Sequence, residues 1–232
     1  VDASIEWYPN EDTILAFGVF YKSFEGGFDV VQQMETFVVD GVEYDRPVTV
    51  YDVSDDTSTI YGFEITAAHN LNYLDSWLRG FGTKLSLSVA ESDFEFEDSN
   101  YGTIYRTELD GSKTQLTQGI IAPANLPGFS DVVFSGQLYY GMGNFDANVI
   151  YKYRDQYFQP YTSNGTRIRY VEDVGVWEAR VSWQFTDNLT LSLEGINLFD
   201  EPKETRYYVE DYFGEMNIYG PRYFLGLRGK FF

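Results

Sequence analysis

The amino-acid sequence predicts an all-β protein, specifically an antiparallel transmembrane β-barrel segment of about nine strands. Three observations support this prediction. Apolar and polar residues alternate with the period of a strand that has two different faces. Short and long connections between these runs follow one another in turn. The final run, 219–232, is apolar on one face and basic on the other, which suits a wall between lipid and a wet lumen.

The composition restricts the class of protein. The 232 residues carry a net charge of −20, which argues against nucleic acid or an anionic membrane surface as a partner. There is no Cys, so disulfides and thiolate metal sites are excluded. No cofactor is predicted. No window approaches the roughly eighteen apolar residues of a transmembrane helix. The chain begins Val-Asp-Ala-Ser without a leader, so we expect a piece of a longer protein.

The first two runs, 4–8 and 14–24, are joined by the turn signal Pro9-Asn-Glu-Asp. The second run opposes Ala16, Gly18 and Lys22 to an apolar set of Leu15, Phe17, Val19 and Tyr21. A polar segment, 26–57, follows, and it contains a hairpin signal at Asp40-Gly41.

The third run, 58–68, places Glu64 and Thr66 opposite Tyr61, Phe63, Ile65 and Ala67. In the connection that follows, the spacing of Leu71, Leu74 and Leu78 predicts one helical turn. The fourth run, 83–96, opposes Lys84, Ser86 and Ser88 to Leu85, Leu87 and Val89. A second polar segment, 97–129, has a hairpin signal at Asp110-Gly111.

Five more runs complete the chain: 132–140, 145–154, 177–185, 189–193 and 219–232. The turns Gly141-Met-Gly-Asn144 and Asp187-Asn188 are short, whereas the loops 159–174 and 199–218 are long. Short turns therefore follow every odd-numbered run and long loops every even-numbered one. This is the asymmetry of outer-membrane barrels, with short periplasmic turns and long external loops. A β-sandwich with Greek-key connections is not expected to sort its loops in this way.

Several stretches resemble the C-terminal half of the barrel of TonB-dependent outer-membrane receptors. Two stretches, Glu6-Trp-Tyr-Pro-Asn-Glu-Asp-Thr-Ile14 and Phe20-Tyr-Lys22, resemble a mid-barrel hairpin of that family. A later hairpin is matched by Leu126-Pro-Gly-Phe-Ser130, Leu138-Tyr-Tyr140 and Tyr151-Lys-Tyr-Arg154. The most specific likeness is to the closing strands, at Glu194-Gly-Ile-Asn-Leu-Phe-Asp-Glu-Pro202 and Tyr219-Gly-Pro-Arg-Tyr-Phe-Leu-Gly-Leu-Arg228.

The resemblance implies a 22-stranded barrel around a plug, of which residues 1–232 form the C-terminal portion, strands fourteen to twenty-two. The earlier strands are expected elsewhere in the protein, because two unpaired sheet edges are prohibitive in lipid. The plug domain is expected there too, since the resemblance implies it. The implied function is the import of a nutrient, such as a siderophore or glycan, in the outer membrane of a Gram-negative bacterium. The implied partners are outer-membrane lipid, the plug domain, the TonB complex and the barrel-assembly machinery. The implied assembly signal is Tyr223, Leu225, Leu227, Phe231 and the additional Phe232.

Candidate site residues follow from the predicted faces. The charged residues on the inward face are expected either to contact ligand or to pair with one another and with the plug: Lys22, Glu64, Lys84, Lys152, Arg154, Glu178, Arg180, Glu194, Arg222 and Arg228. Three aromatic residues near an external loop are expected either to stack on a ligand or to belong to an interfacial girdle: Tyr157, Phe158 and Tyr161.

Three other functions make different predictions from active import. A passive porin-like channel predicts an open pore without a plug, and a soluble β-rich binding module predicts a monomer that dissolves without detergent. An outer-membrane hydrolase needs a histidine beside its nucleophile, and the one histidine, His69, is predicted to be a polar turn residue. No enzymatic activity is therefore predicted. Loop acids such as Asp55-Asp56 either hold Ca²⁺ or are simply solvated.

Overall fold

The computed structural model describes residues 1–25, 28–53, 57–93, 105–107, 113–115, 126, 128–159, 169–207 and 213–230. In this part of the chain the strands are β1 (Asp2–Asn10), β2 (Thr13–Glu25), β3 (Phe28–Val39), β4 (Val42–Val53), β5 (Thr57–Asn70), β6 (Phe81–Ser92), β7 (Tyr105–Thr107), β8 (Lys113–Gln115), β9 (Val132–Met142), β10 (Phe145–Arg154), β11 (Tyr157–Gln159), β12 (Arg169–Val171), β13 (Val174–Thr186), β14 (Leu189–Ile196), β15 (Lys203–Tyr207), β16 (Phe213–Asn217) and β17 (Arg222–Gly229). A short 3-10 helix spans Trp77–Gly80. No helix among the described residues has the length and apolar character needed to cross a bilayer.

The main element is a nine-stranded antiparallel sheet in the order β1-β2-β5-β6-β9-β10-β13-β14-β17. Neighbouring strands in this sheet are consecutive runs of the sequence prediction, so the predicted nine-stranded meander is confirmed. The short connections lie at one end of the sheet, the short-turn end, and the long connections lie at the other, the long-loop end. The predicted helical turn is a 3-10 turn displaced to Trp77–Gly80, preceded by a hydrogen bond from the Leu74 N–H to the Leu71 carbonyl, 2.9 Å.

The long connections contain small sheets of their own. The predicted hairpin at Asp40 and Gly41 is the β3–β4 hairpin, and the φ angles of these two residues, 53° and 80°, are those of a type I′ turn. Strands β7 and β8 pair antiparallel, whereas the predicted turn between them at Asp110-Gly111 lies outside the described residues. A four-stranded sheet, β11-β12-β15-β16, was not predicted, because three- to five-residue strands are too short to show a period.

The strand register aligns the apolar residues across all nine strands. Phe17 pairs with Ile65, Ile65 with Leu87, and Leu87 with Phe134. Further along the sheet, Val181 pairs with Leu193, which pairs with Leu225. Because side chains alternate along a strand, one surface of the sheet, the apolar face, carries all of these residues, and the opposite surface, the polar face, carries the charged set.

Nothing in the described chain covers the apolar face. Leu225 is 77% exposed, Trp183 54%, Phe17 45% and Val149 40%. The only hydrophobic side chains that are buried in the described part of the chain are Ala90, Phe158 and Val171. A sheet of this size with so few buried apolar side chains in its described part must bury its apolar face against something beyond the described residues, since apolar surface in water is unfavourable.

Aromatic rings border the apolar face at both ends. At the long-loop end, Tyr151 stacks on Trp177 with ring centroids 4.8 Å apart, and Phe199 lies 6.1 Å beyond Trp177. At the short-turn end, the Phe81 and Tyr140 rings are 4.7 Å apart. On β13 the distance from Trp177 to Phe185 is about 26 Å along the strand, or about 20 Å after a barrel tilt of about 40°. This height is close to that of a membrane barrel's apolar band, about 25 Å.

Asp93 fastens the long-loop end of β6 to β5. One of its carboxylate oxygens accepts the Thr59 hydroxyl at 2.6 Å, and the other accepts the Thr59 backbone N–H. The side-chain hydrogen bond, and then the backbone one, hold the pKa of Asp93 below its ordinary value.

We expect Thr59→Val to raise the pKa of Asp93 toward that of an unperturbed aspartate. A lowered folded-state pKa means that this link stabilises the strand end at neutral pH and is lost as pH falls through the folded pKa. The protection of the residue-59 amide against hydrogen exchange should therefore fall in acid in the natural protein. In the variant, which keeps only the backbone hydrogen bond to Asp93, this protection should already be lower at neutral pH. Thr57→Val, at the exposed start of β5, is the control; equal exchange in both variants would contradict the link.

Candidate functional site

The polar face carries the predicted inward-facing charges in adjacent rows. One row pairs Val133 with Arg154 and Arg154 with Val174. The next pairs Lys152 with Val176 on one side and Ser135 on the other. In the third row, Ile196 lies between Glu178 and Arg222. These rows are at the long-loop end, so charged and aliphatic side chains are interleaved there.

A pocket of about 970 Å³ opens on this part of the polar face. Its walls are the long-loop ends of β9, β10 and β13, together with segments from the connection between β14 and β17. Five of the predicted site residues line it: Lys152, Arg154, Tyr157, Glu178 and Arg222. Its volume is at the upper end of the range for small-molecule sites, about 300–1,000 Å³.

Lys152 and Glu178 form an ion pair across the pocket floor, with Nζ 2.9 Å from Oε2. The lysine side chain is 54% exposed and the glutamate 26%. Mutual pairing, one of the two predicted roles for the inward charges, therefore applies to these two residues.

We expect Glu178→Gln to change the free energy of unfolding by less than about 1 kcal/mol, because partly exposed ion pairs are screened by water. Urea titration of the natural protein and the variant in the same detergent measures this difference. Glu194→Gln, one strand away on the same face, is the matched control. A loss of several kcal/mol specific to Glu178 would show that the pair is shielded from water in the complete protein.

Arg154 is held in place on three sides. Its Nε donates to the Ser130 Oγ at 2.8 Å, a terminal nitrogen donates to the Gly128 carbonyl, and its guanidinium lies 4.0 Å from the Tyr157 ring centroid. Ser130 in turn donates to the Asp155 carbonyl at 2.9 Å. Arg154 thus fixes the chain segment before β9 against the end of β10.

The other candidates lie away from the pocket. Lys22 is 5.2 Å from the Phe20 ring and Lys84 is 5.7 Å from the Tyr139 ring. Glu64 borders a small cleft of about 160 Å³ between β1, β2 and β5. Arg180, Glu194 and Arg228 are on the polar face closer to the short-turn end, with Arg180 opposite Glu194 in the register. Tyr161, Phe231 and Phe232 lie outside the described residues.

The prediction that Phe158 could meet a ligand or a lipid interface is wrong. Its ring is 1% exposed and packs on Tyr170 at 5.6 Å. Val171 and Thr205 are also buried, but on the other face of the four-stranded sheet. This sheet joins the connection between β10 and β13 to the one between β14 and β17. Ion pairs from Arg206 to Glu172, 3.0 Å, and from Arg169 to Glu215, 3.5 Å, reinforce this sheet. The two connections therefore form one wall of the pocket.

Sequence reasoning did not single out Asn197, Lys203 or Tyr219 as pocket residues. Asn197 is buried, with φ of 56°, and its amide closes the turn after β14. Its Oδ1 accepts the Glu201 N–H at 2.8 Å, and its Nδ2 donates to the Glu201 carbonyl at 3.0 Å. The Asn-Leu-Phe-Asp stretch was a signal for this turn, whereas Lys203 begins a five-residue strand that is too short to show a period and gave none.

The described residues contain no group of three or more His, Cys, Asp or Glu side chains that could hold a metal ion. The loop acids Asp55 and Asp56 lie outside the described residues. His69 is at the short-turn end, with Nδ1 2.8 Å from the Thr13 hydroxyl and its ring 5.8 Å from that of Tyr73. His69 is therefore not a turn residue as predicted, because it is the second-last residue of β5 and pairs with Thr13 on β2 and Thr83 on β6.

Comparison with known proteins identifies the sheet. A family model for "TonB dependent receptor-like, beta-barrel" matches residues 1–198. No curated protein matches the sequence. The fold is similar to the solved structure of a variant of the ferric enterobactin receptor PfeA from Pseudomonas aeruginosa, with a TM-score of 0.59 and 13% identity over 98% of this chain and 30% of that one. It is also similar to the ferric-catecholate import receptor Fiu from E. coli, with a TM-score of 0.55 and 15% identity over 97% of this chain and 26% of that one.

The FrpB iron transporter from Neisseria meningitidis is also similar, with a TM-score of 0.53 and 13% identity over 99% of this chain and 30% of that one. The chain thus spans less than a third of the length of these structures. Its nine antiparallel strands match a segment of their barrels, which explains why the sheet is open. The family model covers most of the sequence, and the chain therefore belongs to the family of TonB-dependent receptors as part of their β-barrel.

Proposed function

We propose that this chain forms the last nine strands of a receptor barrel in the outer membrane of a Gram-negative bacterium. The observation that carries the proposal is the uncovered apolar face, which is continuous over nine strands and bordered by aromatic rings at both ends. Hydrocarbon is the surrounding that stabilises such a face, and the polar face then lines a hydrated lumen. The long-loop end, with the pocket, faces the outside of the cell.

The rest of the barrel is expected to pair with the two edges of this sheet. In the described part of the chain β1 pairs only with β2, and β17 only with β14. Unpaired backbone groups are too costly in lipid, so further strands from the same protein would complete the barrel. Membership of the receptor family adds a plug domain to the complete protein. Tyr223, Leu225 and Leu227 are on the lipid-facing side of β17 and, with Phe231 and Phe232, would form the signal for the barrel-assembly machinery.

The complete protein would be an active importer energised through the TonB complex. The similar structures are described as an iron transporter and as receptors for ferric catecholates and ferric enterobactin. A nutrient of the siderophore or glycan class, or one of similar size, fits the external position of the pocket. The residues most suited to contact it are those of the pocket, which include Lys152, Arg154, Tyr157, Glu178 and Arg222.

Conductance of the full-length protein in planar bilayers tests the proposal without knowledge of the ligand. A plugged receptor should give no stable large pore, whereas a passive porin-like channel should conduct at once. The second measurement is uptake of radiolabelled ferric enterobactin and ferric catecholates by cells that produce the receptor, with and without TonB. Uptake that persists without TonB, or a constitutively open pore, would contradict active import.

A further inference from the structure

The pocket on the polar face has an unusual lining for a hydrated lumen. Most of this face is charged or small and polar, but the long-loop end also presents aliphatic side chains at lumen-facing positions: Val133, Val174, Val176 and Ile196. Val171 and Pro202 extend this surface into the adjoining connections. The wall of a hydrated lumen does not need such an aliphatic patch, because contact with an apolar body stabilises the patch and contact with water does not.

The charge of the pocket is opposite to that of the chain. Four cationic side chains line it, Lys152, Arg154, Lys203 and Arg222, against two carboxylates, Glu178 and Glu201. The whole chain carries 16 Lys and Arg against 36 Asp and Glu. A positive pocket in so acidic a chain means that basic residues are concentrated there. The positive charge of the pocket raises the local concentration of anions.

The four cations are not equivalent. Lys152 is paired with Glu178, and Arg154 is committed to Ser130, Gly128 and Tyr157. Arg222 begins β17 and is exposed, and Lys203 begins β15 and is half-buried. Neither has an ion pair to a carboxylate within the described part of the chain. Arg222 and Lys203 are therefore the two charges available to a ligand.

We infer that the pocket binds an amphipathic organic anion. Its apolar body packs on Val133, Val174, Val176 and Ile196, and its carboxylate or phosphate interacts with Arg222 and Lys203. This inference rests on the proposed transport function and names the class of its ligand. The net negative charge of the chain alone would have disfavoured an anionic ligand. The two connections joined by the four-stranded sheet form a preassembled wall for this ligand, so little ordering is needed on binding.

Ligand-observed NMR on the full-length receptor in detergent tests the inference, with hexanoate, butanoate and hexan-1-ol as probes. Hexanoate should bind saturably, more tightly than butanoate by up to about fourfold per methylene. Its affinity should fall roughly tenfold in the Arg222→Gln/Lys203→Gln double variant, because two partly exposed charges are lost. Hexan-1-ol should bind no better to the natural receptor than to this variant.

The matched control is Arg228→Gln, which removes a cation from the same strand and face outside the pocket. It should leave hexanoate affinity unchanged, and circular dichroism should show the same β-sheet signal in all variants. Equal hexanoate affinity in the natural receptor and the double variant, or no saturable signal, would overturn the pocket assignment. If the probes bind as expected but the receptor shows no TonB-dependent uptake, the proposed transport function is overturned and the pocket assignment stands. Failure of the pocket assignment and failure of the proposed function are therefore distinguishable.

Discussion

Val181→Arg should reduce the stability of the membrane-inserted protein by about 2–4 kcal/mol, the cost of an arginine on the lipid side of a barrel near the bilayer midplane. Val181 is 41% exposed and lies near the middle of β13, between Ala147 and Leu193 in the register. Urea unfolding of the full-length receptor in lipid vesicles measures the difference. The amount of receptor in the outer-membrane fraction should fall in parallel.

Ser182→Arg is the matched control, because it introduces the same side chain one residue away on the opposite face. Ser182 pairs with Asp146, whose carboxylate offers the arginine a partner in the hydrated lumen. We expect its effect to stay within about 1 kcal/mol. In a soluble β module the order would reverse, since Val181→Arg would only replace exposed apolar surface. Equal tolerance of both variants would therefore exclude a lipid-facing wall.

Asn197→Ala should destabilise the protein by about 2–4 kcal/mol, the second of the large effects. Three losses combine: the hydrogen bond that Oδ1 accepts from the Glu201 N–H, the one that Nδ2 donates to the Glu201 carbonyl, and the tolerance of asparagine for φ of 56°. The turn after β14 also carries Phe199, which meets Trp177 at the aromatic border, and it forms part of the pocket wall.

Equilibrium unfolding of the full-length receptor measures this effect, with Asn188→Ala as the control. Asn188 lies in the exposed turn between β13 and β14 at the opposite end of the sheet, and its φ is not positive. Its replacement should change the free energy of unfolding by less than about 0.5 kcal/mol. If hexanoate binding also weakens in Asn197→Ala but not in Asn188→Ala, the turn positions the pocket as well as stabilising it.

The sequence was most informative where a strand is long. Runs such as 14–24 and 177–185 have enough residues for a period of two to be unambiguous, and both lie within strands of the main sheet. The polar residues between them then fixed which connections are long. The pairing of neighbours needed no further information, because consecutive antiparallel strands joined by turns meet in sequence order.

The four-stranded sheet and the role of Phe158 could not be predicted in the same way. Strands of three residues, such as β11 and β12, have no measurable period, and β12 pairs with β15 from a different connection of the chain. An aromatic residue near a loop looks the same in sequence whether it stacks on a ligand or is buried within the protein. Only the structure shows that Phe158 is buried and packs on Tyr170 of the paired strand β12.

The alternation of apolar and polar residues by itself determined that this chain makes a sheet with one apolar face and one polar face, because side-chain direction along a strand is local geometry. The tertiary structure alone decided which inward charges act together. Lys152, Glu178 and Arg222 come from three strands that are distant in sequence, and their proximity depends on the strand register and on the loops above them. A pocket is a property of several strands at once, and no single run of residues encodes it.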